Sequence, residues 1–134
     1  MIVTISDKLP PTLNDQISDA RAGLYVSAKV KKAWTKRIRV AAKDLEKFSP
    51  TDKVWCEFSW YLKNFGRDAD NVAAAAKYIF DGLVDAEVIS NDNLIVIQSP
   101  VVHYYHRGKA DWFELTMSNS PEFLWKSWEA KVRI

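Results

Sequence analysis

Residues 54–62 read VWCEFSWYL. In an extended chain successive side chains point to opposite faces. Val54, Cys56, Phe58, Trp60 and Leu62 then share one apolar face, and Trp55, Glu57, Ser59 and Tyr61 share the other. The alternation predicts a strand over Val54–Leu62, and the rest of the chain is read around it.

Upstream, SPTD at 49–52 breaks the chain ahead of the strand. Before that break, Val30, Trp34, Ile38, Ala41 and Leu45 recur at helical spacing. Ser27 is placed as N-cap of a helix running to Lys47. Its opposite face carries Lys29, Lys32, Lys36, Arg39, Lys43 and Lys47. IVTI at 2–5 reads as a first strand, and LPPTLND at 9–15 as a loop, because two prolines exclude a helix or a central strand. Downstream, a second helix is expected from Asn71 to Asp85 and a turn at SNDN, 90–93. LIVIQSPVVHYYHR and DWFELTMS read as two strands joined by a hairpin at Arg107–Lys109. Pro121 opens helical character in the tail, residues 119–134, which reads as an appendage. The order β-α-β-α-β-β predicts a single α+β domain over residues 1–134, a mixed sheet covered by two main helices.

The 134 residues suit one domain, and 48% hydrophobic composition supplies a real core. Cys56 is the only cysteine, which excludes an intrachain disulfide and a cysteine-based zinc site. No apolar run approaches the roughly 20 residues of a membrane span, and the N-terminus lacks a signal pattern. The expectation is a cytoplasmic protein without a membrane partner. Net charge is only +2, but nine basic and two acidic residues lie between Arg21 and Lys47. That segment alone is +7 and the remainder −5, a distribution suited to holding an anion such as nucleic acid. His103 and His106 lack zinc-ligand spacing and read as strand-surface residues. Cys56 reads as a small core hydrophobe.

The second helix begins in GRDADNVAAAAK, 66–77. Turned at 100° per residue, Val72, Ala76, Ile79, Phe80 and Leu83 form its buried face, while Lys77 and Asp81 fall within about 20° of Asp70. Asp70 is a good N-cap, and Lys77 with Asp81 is spaced for an i,i+4 pair. A cap does not account for Asp68, which repels Asp70 unless a cation lies between them. Asp92, in the SNDN turn, is the third carboxylate, and VDAEVIS is long enough to bring it back along the helix. Three carboxylates are the ligands magnesium prefers, and a nearby lysine stabilises charge developing on a phosphoryl centre. The set fits phosphodiester hydrolysis.

RDADN, the lysine seven residues after its second aspartate, and DGLVDAEVISNDN together resemble the RusA-type Holliday junction resolvases, a family common in phages and prophages. LPPTLND resembles the family's proline-rich opening, with Asn14 at its asparagine, and YVSAKVKKAWT the start of its first helix. The likeness covers most of residues 9–97. It implies a magnesium-dependent homodimer that resolves four-way DNA junctions by paired nicks, in a bacterial cell and phage- or prophage-encoded. Asp68, Asp70 and Asp92 would be metal ligands, and these three with Lys77 the catalytic set. Lys77 sits at a longer spacing than in the founding member. Lys29, Lys32, Lys36, Arg39, Lys43 and Arg67 are the expected DNA contacts, and Asn14, Asn71 and Asp81 secondary site residues. A two-fold dimer would match the junction's two-fold symmetry. The rival readings are a non-catalytic DNA-binding module, with the aspartates as cap and loop residues, and a recombination or replication partner protein that recruits through its tail.

Overall fold

The computed structural model describes residues 1–132; residues 133–134 of the expected tail lie outside the described residues. The strand predicted at 54–62 is observed as β2 (Trp55–Leu62), at the heart of one four-stranded mixed sheet. Its neighbours are β3 (Val102–Arg107), parallel to it, and β4 (Trp112–Ser118), antiparallel. The first strand, β1 (Ile2–Lys8), pairs antiparallel with β4, giving the order β1-β4-β2-β3.

The expected α+β domain is therefore observed, but the expected hairpin is not. β3 and β4 flank β2 on opposite sides. The link between them crosses the end of β2, where Gly108 donates to the Leu62 carbonyl and the Lys63 N–H donates to Asp111 Oδ1, each at 2.9 Å. Consecutive strands joined by a short glycine-containing link usually pair; here those backbone groups are satisfied by the end of β2 instead. β3 is also shorter than expected. Leu94 and Ile95, 88% and 73% exposed, sit in the turn ahead of it, and only Ile97 bridges back, to Val54.

The helical part is more finely divided than the sequence reading. LPPTLND is a loop only to Thr12. Asp15 Oδ2 accepts both the N–H and the hydroxyl of Thr12, each at 3.0 Å, starting α1 (Leu13–Ala22). Such a T-x-x-D pattern is a helix-start signature that the prolines masked. Gly23 separates α1 from α2 (Leu24–Ala41), its φ of 125° being open to glycine and costly for other residues. So α2 starts three residues before Ser27. It also stops before Lys47, since the chain turns to bring Phe48 into the core. Ala42, not Ala41, completes its buried stripe with Ile38. The expected second helix is two pieces, α3 (Ala69–Ala73) and α4 (Ala76–Asp85).

The inward face of the sheet carries Val3 and Ile5 from β1, Phe113, Leu115 and Met117 from β4, and Cys56, Phe58, Trp60 and Leu62 from β2, all buried. Val72, Ile79, Leu83, Ile38 and Ala42 cover it from the helices. Cys56 is fully buried in this core, and burial pushes its thiol up to about 12. α5 (Glu122–Lys131) lies against the opposite face, where Lys131 Nζ bonds Glu57 Oε1 at 2.6 Å and Ser59 Oγ at 3.0 Å. The tail thus forms a helix, opened by Pro121 as its N-cap residue, that reaches the sheet through Lys131 and buries Leu124. No helix among the described residues is long and apolar enough to cross a membrane.

Candidate functional site

The sequence candidates fall on two neighbouring helical elements, α2 and the α3–α4 pair. Lys29, Lys32 and Lys36 on α2, and Lys43 in the turn just after it, are exposed and make no ion pair among the described residues. Arg39 is exposed but paired with Asp85 of α4 at 2.9 Å, so it is not a free cation like the lysines. Lys47 lies beyond the helix and pairs with Glu87 at 3.7 Å. Arg67 departs further from expectation. Its Nη2 pairs with Asp111 Oδ2 at 3.2 Å, and its Nη1 is buried without a hydrogen-bond partner. It is a partly buried residue tying the segment ahead of α3 to the β3–β4 link, not a free surface cation.

The acidic motif also rearranges. α3 begins at Ala69, so Asp68 is its N-cap residue, with extended φ −77° and ψ 140° and no side-chain capping bond. Asp70 lies inside the first turn, where its Oδ1 accepts the Asn71 N–H at 2.9 Å. Asp68, not Asp70, therefore stands at the N-cap position, and both aspartates are exposed. The Tyr105 hydroxyl donates to the Ala69 carbonyl at 3.1 Å, and burial, then the nearby Asp70 charge, raises its pKa.

The secondary candidates hold this region together. Asn71 Oδ1 accepts the Asn14 N–H at 2.8 Å, satisfying one donor of the first turn of α1. Gln16 Nε2 donates to the Ala74 carbonyl at 3.1 Å, at the break between α3 and α4. Of the four alanines at 73–76, Ala75 is fully buried and Ala76 packs against the core. Gln16 escaped the sequence reading because no element was read between the LPPTLND loop and Ser27.

Lys77 and Asp81 form the expected i,i+4 pair, at 3.8 Å. Asp81 Oδ2 is buried with no hydrogen-bond partner, and the side chain lies near Tyr78. Burial, then Asp19, Asp81 and Asp15, raise the Tyr78 phenol.

Asp92 does not come back along the helix. The return from α4 runs toward the start of β2: the Phe48 N–H donates to the Val88 carbonyl at 2.9 Å, and Ile97 bridges Val54. Asn91 Oδ1 accepts the N–H groups of Asp92 and Asn93 at 2.8 and 3.1 Å, a turn that leaves the Asp92 side chain exposed. Asp68 and Asp70, by contrast, follow the other end of the strand. Among the described residues no three His, Cys, Asp or Glu side chains are placed to hold a metal ion together. The three-carboxylate magnesium site that the resemblance implies is therefore not assembled among the described residues of one chain.

His103 is likewise not a surface residue. Its ring stacks on Phe58 at 5.1 Å, and its Nδ1 accepts from Trp60 Nε1 at 3.0 Å. Burial lowers its pKa. On the other face, Trp112 stacks on Tyr61 at 4.0 Å and Tyr61 on His106 at 4.8 Å, a row that takes Trp112 out of the core. No protein-family model matches the chain, and no curated protein matches it.

Proposed function

We propose that this chain binds branched DNA and cuts it as a structure-selective endonuclease on four-way junctions, acting as a homodimer. The observation that carries the DNA-directed part is the exposed lysine face of α2, Lys29, Lys32 and Lys36, continued by Lys43 just beyond its end, none of them ion-paired among the described residues. Lysines on one helix face contact phosphates without reading sequence. The hydrolytic part is supported by the likeness of Asp68, Asp70, Lys77 and Asp92 to the RusA-type pattern, with Asp68 and Asp70 both exposed.

The second reading is a DNA-binding module without catalysis. It is favoured by Asp68 standing at a cap position and by Asp92 lying toward the other end of β2. The deciding experiment incubates the full chain with labelled four-way junction and with linear duplex, with and without magnesium. Symmetric nicks on the junction alone, abolished by Asp70→Asn while junction binding persists, support the endonuclease. Tight junction binding with no nicks under either condition favours the binding module.

A further inference from the structure

We propose that the cleft bounded by the end of β1, α1 and α2 is a pocket for a single unpaired guanine base. The cleft has a volume of about 460 Å³, within the range of small-ligand pockets. Trp34 of α2 supplies an aromatic wall, with the Arg37 guanidinium 5.4 Å from its ring centroid. An aromatic wall is what an extruded base stacks on.

The polar lining has two chemistries, each from a different part of the fold. α1 contributes Asp15, Ser18 and Asp19. Asp15 is partly used by Thr12, but Asp19 is half-buried and makes no hydrogen bond among the described residues. The end of β1 contributes the exposed Lys8, which is the donor open to a ligand; Arg67 and Asp111 also line the cleft but are paired with each other at 3.2 Å, and the Arg67 Nη1 is itself buried.

Guanine matches this lining. Its adjacent N1–H and N2–H groups are a pair of donors for a carboxylate such as Asp19, and its O6 and N7 are acceptors that a lysine such as Lys8 takes. Thymine lacks the amine, cytosine lacks the ring N–H, and adenine lacks the carbonyl. Arg67 also immediately precedes Asp68, so a base in this cleft lies beside the acidic motif.

The inference rests on the DNA-directed reading above, and its test is independent of cleavage. Binding of 12-nucleotide single strands is measured by fluorescence anisotropy: all-thymine, or thymine with one central guanine or one hypoxanthine. The guanine strand is expected to bind about tenfold tighter than the all-thymine strand, with hypoxanthine between them. The readout is the guanine-to-thymine affinity ratio, which a general change in DNA binding does not move. Asp19→Asn, and Ser18→Trp filling the cleft from an exposed position on α1, should each bring the ratio near one. Equal affinities in the unaltered chain, or a ratio that survives both variants, overturn the site. Deoxyguanosine monophosphate should compete weakly, and competition as strong as the guanine strand's overturns the assignment to strand DNA. Junction nicking with no base preference sinks this inference and leaves the endonuclease standing; a guanine preference without nicking does the reverse.

Discussion

Gly82 of α4 lies against Ile38 of α2 so closely that an added Cβ would stand 2.3 Å from the Ile38 Cβ. The same Cβ would lie 3.2 Å from the Thr35 carbonyl oxygen. This contact sets how closely the lysine-bearing helix and the helix carrying Lys77 and Asp81 approach each other.

Gly82→Ala should therefore destabilise the fold, although alanine is the better helix former. Overpacking of this kind costs about 1–3 kcal/mol. Urea unfolding gives the value, and the pair Gly82→Ala with Ile38→Ala checks the cause. Ile38→Ala alone costs about 2–5 kcal/mol, and the double variant should lose less than the sum of the singles. Additive losses would place the clash at the Ile38 Cβ, which alanine keeps, and not at its Cγ2.

Glu57 is 3% exposed, and Lys131 is its ion-pair partner from α5. Removing one partner of a buried pair leaves an uncompensated charge, at a cost of about 3–5 kcal/mol. Lys131→Met should destabilise by that order in thermal or urea melts, and Glu57→Gln on top of it should recover most of the loss. Deleting residues 119–134 should be at least as harmful. A fully stable truncated chain would show that α5 adds nothing to the sheet.

His103 and His106 both have lowered pKa values. Burial lowers His103; burial and the Lys131 charge lower His106 against the opposing pull of Glu114 and Glu57. The unfolded chain then binds protons more readily than the native one, so stability rises with pH in this window. The contribution is fully present above the ordinary histidine value near 6.5 and is lost as pH falls through the lowered native values. Melting temperature should drop on acidification below about pH 6.5. His103→Gln should flatten that slope; an unchanged slope would place the titration elsewhere.

Lys32 and Lys36 should act on DNA through charge alone. Each change to glutamine should weaken junction and duplex binding alike and reduce the salt slope by about 0.9 per lost phosphate contact. Arg67→Gln should instead lower stability, since its guanidinium bonds Asp111. Binding titrations between 50 and 200 mM salt, chosen to span the steep part of the dependence, separate the two behaviours.

Much of the fold was legible because burial leaves a periodic imprint. The alternation of 54–62 located β2 to within one residue, and the lysine stripe located the body of α2. What escaped was non-local. Nothing in HYYHRGKADWFEL says that β2 should slip between β3 and β4, because that choice is made by which backbone groups β2 leaves free. α1 escaped because Pro10 and Pro11 outweighed the Thr12–Asp15 signature behind them. At the candidate site the residue types were legible and their convergence was not. Asp92 depends on where Val88 and Ile97 dock, and both dock at residues far away in sequence, Phe48 and Val54.

The placement of β4 between β1 and β2 has a consequence for how the molecule assembles. Ile2 pairs with Ser118, so the first strand made finds its only sheet neighbour near the last. During synthesis β1 and β2 must wait, unpaired with each other, until residues 112–118 leave the ribosome and close the sheet between them. Non-local pairing of this kind is slow, and it leaves strand edges open meanwhile. The helical pair α2–α4, complete by residue 85, is the one hydrophobic unit available to shelter β2 during that wait.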